Sequence, residues 1–414
     1  MNILAFESSC DETAAAVVCR GADGSFTIKS NIIASQAKTH ALYGGVVPEI
    51  AGRAHIEAIY GVAEAALTEA GCTPSDIDLV AVANHPGLIG ALLVGVNFAK
   101  AFAVSNGIPL VAVNHVYGHI AATYLAPADN AAESCAKSGA DGSAGKGTES
   151  GADGSTGKGA ESSADGSAGK GTESSAETSK ESYVPHPPFI ALACSGGHTA
   201  IYLVNDYTDI REIGGTRDDA IGESFDKIGR MIGIPYPAGA GFDALAKEGF
   251  IKVTGDSVSF YKKFKSSPFC KSRVMALPSP ALADGSLDFS FSGLKTAAIN
   301  LLHRYEQRGE ELPRAEFAAA YTYEAVEAVA KKLTEALARY PGCDLVCAGG
   351  VAANSHLRAR LAEVARRRGV KLCLPPLFLC GDNAAMIAAQ GYYEYESGHV
   401  SGAELNASAL DTGI

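Results

Sequence analysis

The chain has 414 residues, enough for two or more domains, and its 47% hydrophobic and 19% charged content is that of an ordinary soluble globular protein. No apolar run is expected to reach bilayer-spanning length, and MNILAFESS reads directly as a buried strand rather than a leader, so a cytoplasmic protein without a membrane association is expected. The formal net charge of −12 does not advertise nucleic-acid binding. Residues 128–183, with ten acidic side chains and five lysines, supply −5 of that total.

In chain order, NILAFESS (2–9) and AAAVVC (14–19) read as two strands joined by the polar tip ESSCDET, a β-hairpin. A helix over 49–71, a strand at 78–83, a helix over 88–105, a strand at 109–114 and a helix over 115–125 follow. Residues 139–174 then repeat with period 12, as GADGSAGKGTES, GADGSTGKGAES and SADGSAGKGTES. With no aromatic or branched apolar residue, this segment cannot bury enough surface to offset its ordering entropy, and 128–183 is expected to be a disordered insertion. Its GSAGKGT fails the spacing of a phosphate loop. Beyond it come strands at 189–195 and 199–204, a second hairpin, then helices over 314–340, 354–368 and 382–394 around a strand at 344–349. Two hairpins, each followed by further strands and helices, predict two similarly built α/β lobes with a cleft between them. The expected boundaries are an N-terminal lobe at 1–127, a C-terminal lobe at 184–381, and a C-terminal helix at 382–414 that returns to the first lobe.

The ten cysteines are scattered in apolar runs such as AVVC, ALAC and LVCAGG, with no CxxC. Cys343 and Cys347 stand four apart in a strand-like segment. Buried thiols in a reducing compartment are expected rather than disulfides or a metal site.

Several short stretches carry chemistry. The first hairpin tip holds Asp11 and Glu12. The second is CSGGHTA, where Gly196 and Gly197 let backbone approach a ligand and Ser195, His198 and Thr199 add donors. Asp226 falls on a helix in GESFDKIGRMIGIPYP, and the glycine-rich loop YPAGAGFD after it ends in Asp243. FSFSGLKTA places Ser290, Ser292 and Lys295 at a helix start, an anion-binding geometry. CAGGVAANSHLR turns through Gly349 and Gly350 into a helix carrying Asn354, and FLCGDNAAMIA puts Asp382 at the start of an apolar helix, where an N-cap is the plain alternative. In NHVYGHIAA, His115 and His119 stand four apart, so a helix projects both rings from one face. Position 116 is Val, so the general-base glutamate of HExxH is missing while a ligand pair remains; a third ligand must come from elsewhere, and Asp382 is a candidate.

In their order, ESSCDETAAA, HALYGGVVPEIAGRAH, PGLIGALLVG, NHVYGHIAA, SGGHT, GESFDKIGRMIGIPYP, FSFSGLKTA, GGVAAN and GDNAAMIA closely resemble the TsaD family, the tRNA N6-adenosine threonylcarbamoyltransferases. The resemblance spans nearly the whole chain outside the insertion. It implies an actin-like, sugar-kinase-like fold of two ribonuclease-H-like lobes. It implies transfer of a threonylcarbamoyl group from threonylcarbamoyl-adenylate to N6 of adenine 37 in tRNAs that read codons beginning with A, with release of AMP. It also implies His115, His119 and Asp382 as ligands of one divalent metal, Fe(II) ahead of Zn(II). Cys194, Ser195, Gly196, Gly197, His198, Asp226, Gly239, Asp243 and Asn354 match substrate contacts, and Asp11 and Glu12 match the acidic pair of the phosphate-side turn, the expected catalytic groups. The implied cofactors and partners are an adenine nucleotide (threonylcarbamoyl-adenylate, ATP or AMP), tRNA, TsaB-like and TsaE-like proteins, a TsaC-type synthase supplying the adenylate, and a homodimer or heterodimer.

The chain departs from the family pattern at YPAGAG, with Ala238 and Ala240 for glycine and proline positions, and at NHPGL, with His85 in place of a glycine. For tRNA, two basic runs are available: FYKKFKSSPFCKSR (260–273), with Lys262, Lys263, Lys265, Lys271 and Arg273, and RARLAEVARRRGVK (358–371). An ATP-dependent kinase on the same fold would not need the histidine pair plus a distant Asp. A non-catalytic scaffold like the family's shorter partner subunit would lack the pair, and the old protease label has no HExxH glutamate to support it.

Overall fold

The computed structural model describes residues 1–125, 184–256 and 284–410, with a few positions between 257 and 283. The expected insertion at 128–183 and most of the basic run 260–273 lie outside the described residues.

Strands β1 (Asn2–Glu7) and β2 (Glu12–Arg20) form the expected hairpin, with Asn2 opposite Cys19 and Glu7 opposite Ala14. A third strand, β3 (Phe26–Ser35), pairs antiparallel with β2 at the sheet edge. Its FTIKSNIIAS has a weak pattern in sequence because a bulge opposite Val17 and Val18 switches its apolar residues between faces. Phe26 and Ile28 pack on the side of the helix Ala384–Glu396, and Ile32 and Ala34 on the side of the helix Pro48–Ala70. Next come α1 (Ala37–Ala41), α2 (Pro48–Ala70), β4 (Leu79–His85), α3 (Ile89–Asn106), β5 (Leu110–Asn114) and α4 (His115–Ala121). Pro48 opens α2 at a position where a missing N–H is harmless, and Gly71 closes it at φ +63°.

The second lobe starts with β6 (Phe189–Cys194), β7 (Thr199–Val204) and β8 (Ile210–Gly215), followed by α5 (Ile221–Met231) and α6 (Gly239–Thr254). Then come α7 (Ser292–Arg308), α8 (Arg314–Arg339), β9 (Asp344–Ala348), α9 (Ser355–Arg368), β10 (Leu372–Cys373) and α10 (Ala384–Glu396). The two sheets have the same plan, β3-β2-β1-β4-β5 and β8-β7-β6-β9-β10, each with two antiparallel pairings followed by two parallel ones. The YPAGAGFD segment is not a loop to its end: α6 begins at Gly239, and Asp243 lies inside its first turns.

Apolar faces fix the layers. Leu4, Phe6, Val80 and Val82 face α2 and α3, while Ala5, Ala81, Val111 and Val113 face the other way, onto α10 and the α4 segment. Phe189, Ala191 and Ala193 of β6 join that second cluster, so α4 and α10 are held between the two sheets. Alternate residues of β6, Ile190 and Leu192, pack with α5 to α9.

Helix α3 differs from expectation. At 18 residues with a mean hydropathy of 1.4, it is long and apolar enough to cross a membrane by length and composition. It reaches that value because it carries one charged residue, Lys100, among small and branched apolar ones, with Ala91, Leu92, Val96 and Ala99 buried on the sheet side.

Of the ten cysteines, the described Cys194, Cys343, Cys347, Cys373 and Cys380 are buried thiols, and Cys10, Cys19 and Cys72 are half-buried thiols, none of these in a disulfide.

Candidate functional site

Helix α4 starts where β5 ends. Asn114 caps it, its Oδ1 accepting from Val116 N at 2.8 Å and from Tyr117 N at 3.4 Å, which fixes His115 as the first helical residue. One turn on, the His119 ring lies 4.7 Å from that of His115, centroid to centroid. Gly118 between them faces α10: a Cβ there would sit 2.7 Å from Ile387 Cδ1, so the missing side chain lets the two helices approach. That approach brings in Asp382. Asn383, not Asp382, is the N-cap of α10, accepting from Met386 N at 3.0 Å, so the Asp382 carboxylate is left to face the histidines. Its Oδ1 lies 3.6 Å from His115 Nε2 and 3.2 Å from His119 Nε2.

A buried glutamate completes the arrangement. Glu7, at the end of β1 and without solvent access, places Oε2 at 2.9 Å from His115 Nδ1. Ser9 Oγ lies 3.1 Å from the same nitrogen, and Glu7 Oε1 accepts from Ser9 N. With Nδ1 engaged on Glu7, the Nε2 of His115 is the atom turned toward Asp382. Burial pushes the His115 imidazole down, but the Glu7 and Asp382 carboxylates outweigh it and raise its pKa to about 9. Burial likewise pushes Asp382 up, and the two imidazoles more than reverse this, holding it well below the carboxylate range. The ligand atoms of His115, His119 and Asp382 all lie within 4.8 Å of one another, and His119 Nδ1 is buried with no hydrogen-bond partner among the described residues. Two imidazole nitrogens and a carboxylate oxygen in this compass fit one first-row divalent ion.

The cluster forms one wall of a cavity of about 530 Å³. Ser9, Cys10 and Asp11 line it from the first hairpin tip, Ser195 to His198 from the second, Asp226 and Arg230 from α5, and Gly44 to Val46 from the segment before α2. The second tip is a self-bonded turn. Ser195 N donates to the His198 carbonyl at 2.8 Å and His198 N to Ser195 Oγ at 3.2 Å, while a Cβ at Gly196 or Gly197 would meet nothing within 4 Å. Two glycines press on its base: a Cβ on Gly222 would lie 2.3 Å from the Ser195 carbonyl oxygen, and one on Gly349, at φ +93°, 2.4 Å from that of Cys194.

The sequence-expected residues do not all reach the cavity. Asp11, His115, Ser195, Gly196, Gly197, His198, Asp226 and Asp382 line it. Cys194 lies behind the turn, its Sγ 3.8 Å from Cys347 Sγ, and that contact with burial keeps the thiol protonated. Glu12 turns toward Ser35, whose Oγ donates to Oε1 at 3.0 Å; burial, then Asp382 and Asp11, push its carboxyl up to about 9. Gly239 bonds Asp226 through its backbone amide, and Asp243 and Asn354 form a separate group. Asp243 accepts from Ser355 N at 3.2 Å and Ser355 Oγ at 3.0 Å, and Asn354 caps α9 through Leu357 N at 2.8 Å. Asp226 itself accepts from Ala238 N at 2.8 Å, a backbone bond that tolerates Ala238 where the family has glycine. Burial leads Asp11 in raising the Asp226 carboxyl.

The FSFSGLK segment differs from its reading as an open anion site. Its donors are taken by the chain: Asp218 accepts from Phe291 N at 2.7 Å, Ser292 N at 3.2 Å and the Ser290 and Ser292 hydroxyls, and Asp219 pairs with Lys295 and Lys227. Four arginines of the second basic run are similarly committed. Arg358 donates to the carbonyls of Ala352 and Pro375, Arg360 pairs with Glu327, Arg367 with Glu363, and Arg368 donates to the Thr334 carbonyl.

Sequence reasoning missed Glu7, Tyr236 and Arg230. Glu7 had a signal, an acidic residue closing the otherwise apolar NILAFE, since a buried charge demands a partner. Tyr236, whose hydroxyl lies 3.5 Å from Asp11 Oδ2, and Arg230 had none beyond their place in the motif.

Comparison with known proteins agrees with this geometry. The family model described as "TsaD: tRNA N6-adenosine threonylcarbamoyltransferase" matches residues 27–141 and 172–389, leaving out 142–171 inside the repeat. A protein of that name from Clostridium botulinum (strain 657 / Type Ba4) is 38% identical over 407 residues, covering 98% of this chain and 96% of its own length. One from Clostridium perfringens (strain 13 / Type A) is 39% identical over 405 residues, with 98% and 96% covered. Among solved structures, T. kodakarensis HypF superimposes with a TM-score of 0.53 at 12% identity, over 96% of this chain and 48% of its own. The fold is the actin-like, two-lobed one.

Proposed function

The chain belongs to the TsaD family of tRNA N6-adenosine threonylcarbamoyltransferases, and on that premise we propose that His115, His119 and Asp382 hold one divalent metal ion at the wall of the cavity where transfer occurs. The enzyme transfers the threonylcarbamoyl group from threonylcarbamoyl-adenylate to N6 of adenine 37 in tRNAs reading codons that begin with A, and AMP leaves. Metal dependence, the identity of the ion as Fe(II) ahead of Zn(II), and the roles of individual residues are our own reading. When bound, the ion supplies a Lewis acid able to polarise a substrate oxygen. The observation that carries the reading is the convergence of the two histidines and Asp382 beside the Ser195–His198 turn.

In this reading the protein's own groups position two reactants and stabilise developing charge. The open backbone at Gly196 and Gly197 receives the anionic end of the adenylate, with Ser195 and His198 as side-chain donors. Asp11, which lines the cavity where Glu12 does not, orients the adenine amine and takes its proton as N6 attacks the carbamoyl carbon and the bond to the phosphate oxygen breaks. Glu12 supports the turn through Ser35. Asp226 shapes the wall and is held by Ala238 N, while Cys194, Gly239, Asp243 and Asn354 support it from outside the lining, Asp243 through Ser355 and Asn354 as the cap of α9. Domain limits at 1–127, 184–381 and 382–414, a cytoplasmic location, TsaB-like and TsaE-like partners and a TsaC-type supplier of the adenylate complete the proposal.

The test is nucleoside mass spectrometry of tRNA from cells depleted of their own enzyme of this family and carrying this chain or its His115→Ala/His119→Ala version, with the metal content of both purified proteins. Threonylcarbamoyladenosine restored by the first alone, with metal lost in the second, is expected. Restoration by both would remove the metal from the mechanism. Restoration by neither, with soluble protein present, would favour a kinase-like or scaffold role.

A further inference from the structure

We propose that the rim of the cavity formed by Lys38, Leu42, Tyr43 and Arg230 is the seat for the single-stranded nucleotides flanking the target adenine. The inference rests on the reading that transfer occurs in this cavity. An adenine delivered from an RNA loop has its neighbours attached on both sides, so they lie at the cavity's rim whenever N6 is inside.

That rim has the composition such nucleotides require. Gly44, Gly45 and Val46 line the cavity, and the two residues before them, Leu42 and Tyr43, are 83% and 58% exposed. An exposed tyrosine and leucine next in the chain to the cavity-lining Gly44 offer a stacking platform for unpaired bases. Arg230 of α5 donates from Nη1 to the carbonyl of Gly44, the residue after Tyr43, at 3.0 Å. Gly44 has φ +72°, and a Cβ on it would meet that Nη1 at 2.8 Å, so the glycine lets the loop lie against the guanidinium. One donor of the fork is used on the loop, and no described carboxylate pairs with Arg230, which leaves the rest for a phosphate. Lys38 stands four residues before Leu42 on α1, exposed and without an ion pair among the described residues.

Other cations of the second lobe are committed. Arg217, Lys227, Lys295, Arg360 and Arg367 are all paired with carboxylates. Unpaired cations interleaved with an aromatic, next to the cavity the adenine must enter, are the more favourable electrostatic footprint on an acidic chain.

The experiment is steady-state transfer by the metal-loaded chain with its partner proteins, varying tRNA and threonylcarbamoyl-adenylate separately, for wild type, Tyr43→Ala, Tyr43→Phe and Arg230→Gln. Tyr43→Ala is expected to raise KM for tRNA about tenfold and Tyr43→Phe to restore it. Arg230→Gln should raise the same KM and lower its salt slope by about one. For Tyr43→Ala, outside the cavity lining, KM for the adenylate should stay within about twofold of wild type, since stacking at the rim touches only the RNA. An unchanged KM for tRNA in both Tyr43→Ala and Arg230→Gln, or a rise confined to the adenylate, overturns the proposal. Wild-type inactivity would count against the functional reading instead. Anisotropy of a labelled anticodon stem-loop RNA then decides the surface: weaker binding by Tyr43→Ala supports it, and equal or absent binding by both proteins overturns it.

Discussion

The Glu7 carboxylate and the His115 imidazole form a buried pair, Oε2 to Nδ1 at 2.9 Å, that settles which face of the ring looks into the cavity. A carboxylate behind a metal-binding histidine fixes the ring's tautomer and orientation and raises its basicity as a ligand. Glu7→Gln keeps the shape and removes the charge. Metal affinity, measured by competition with a chromogenic chelator, should fall about 10–100-fold. Affinity equal to wild type would show that Ser9 and helix α4 orient His115 without help.

Gly349 should resist substitution. At φ +93°, with the Cys194 carbonyl 2.4 Å from where a Cβ would stand, alanine there strains the backbone by about 1–3 kcal/mol and displaces the strand end that carries Ser195. Gly349→Ala should lower stability to urea and raise KM for the adenylate. Gly350→Ala, in open space, is the control expected to do neither.

Asp218 holds the start of α7 through two amides and two hydroxyls. Burial pushes its carboxyl up, but these four donors outweigh that and hold it below the ordinary range. Asp218→Ala should lose about 1–2 kcal/mol in urea unfolding. A loss no greater than that of an exposed Asp23→Ala control would show that the serines cap the helix by themselves.

His356 gives the fold an acid limit. Stacked on Phe250 with centroids 4.3 Å apart, it is held neutral by burial and then by Arg360, with its pKa lowered from 6.5 to about 3. The unfolded chain takes up a proton below pH of about 6.5 while the folded one does not. Its contribution is therefore complete above that pH and lost as pH falls toward about 3, at up to about 1.4 kcal/mol per pH unit. Urea unfolding of wild type and His356→Leu from pH 7 to 4 should show a shallower fall in the variant. Parallel curves would mean that His356 takes its proton within the fold.

The two hairpins, the strands at β1, β4, β5, β6, β7 and β9 and helices α2, α3, α4, α8, α9 and α10 were legible in sequence, because buried strands and amphipathic helices write their period into local residue order. The edge strands β3 and β8, the short β10 and helix α6 were not, since a bulged or mostly exposed edge strand, a two-residue strand and a glycine-rich helix start carry little pattern. The HxxxH spacing by itself determined that His115 and His119 share a face, as a one-turn separation in a helix must. That Asp382, 263 residues after His119, meets them was decided by tertiary structure, through Gly118 letting α10 close on α4 and Asn383 taking the cap. The same holds for Glu7 behind His115, for Asp218 filling the serine-rich helix start, and for Asp243 turning to Ser355. A residue's type and local spacing state what it is able to bind. Which partner satisfies it depends on what the packing of distant segments brings within hydrogen-bonding reach.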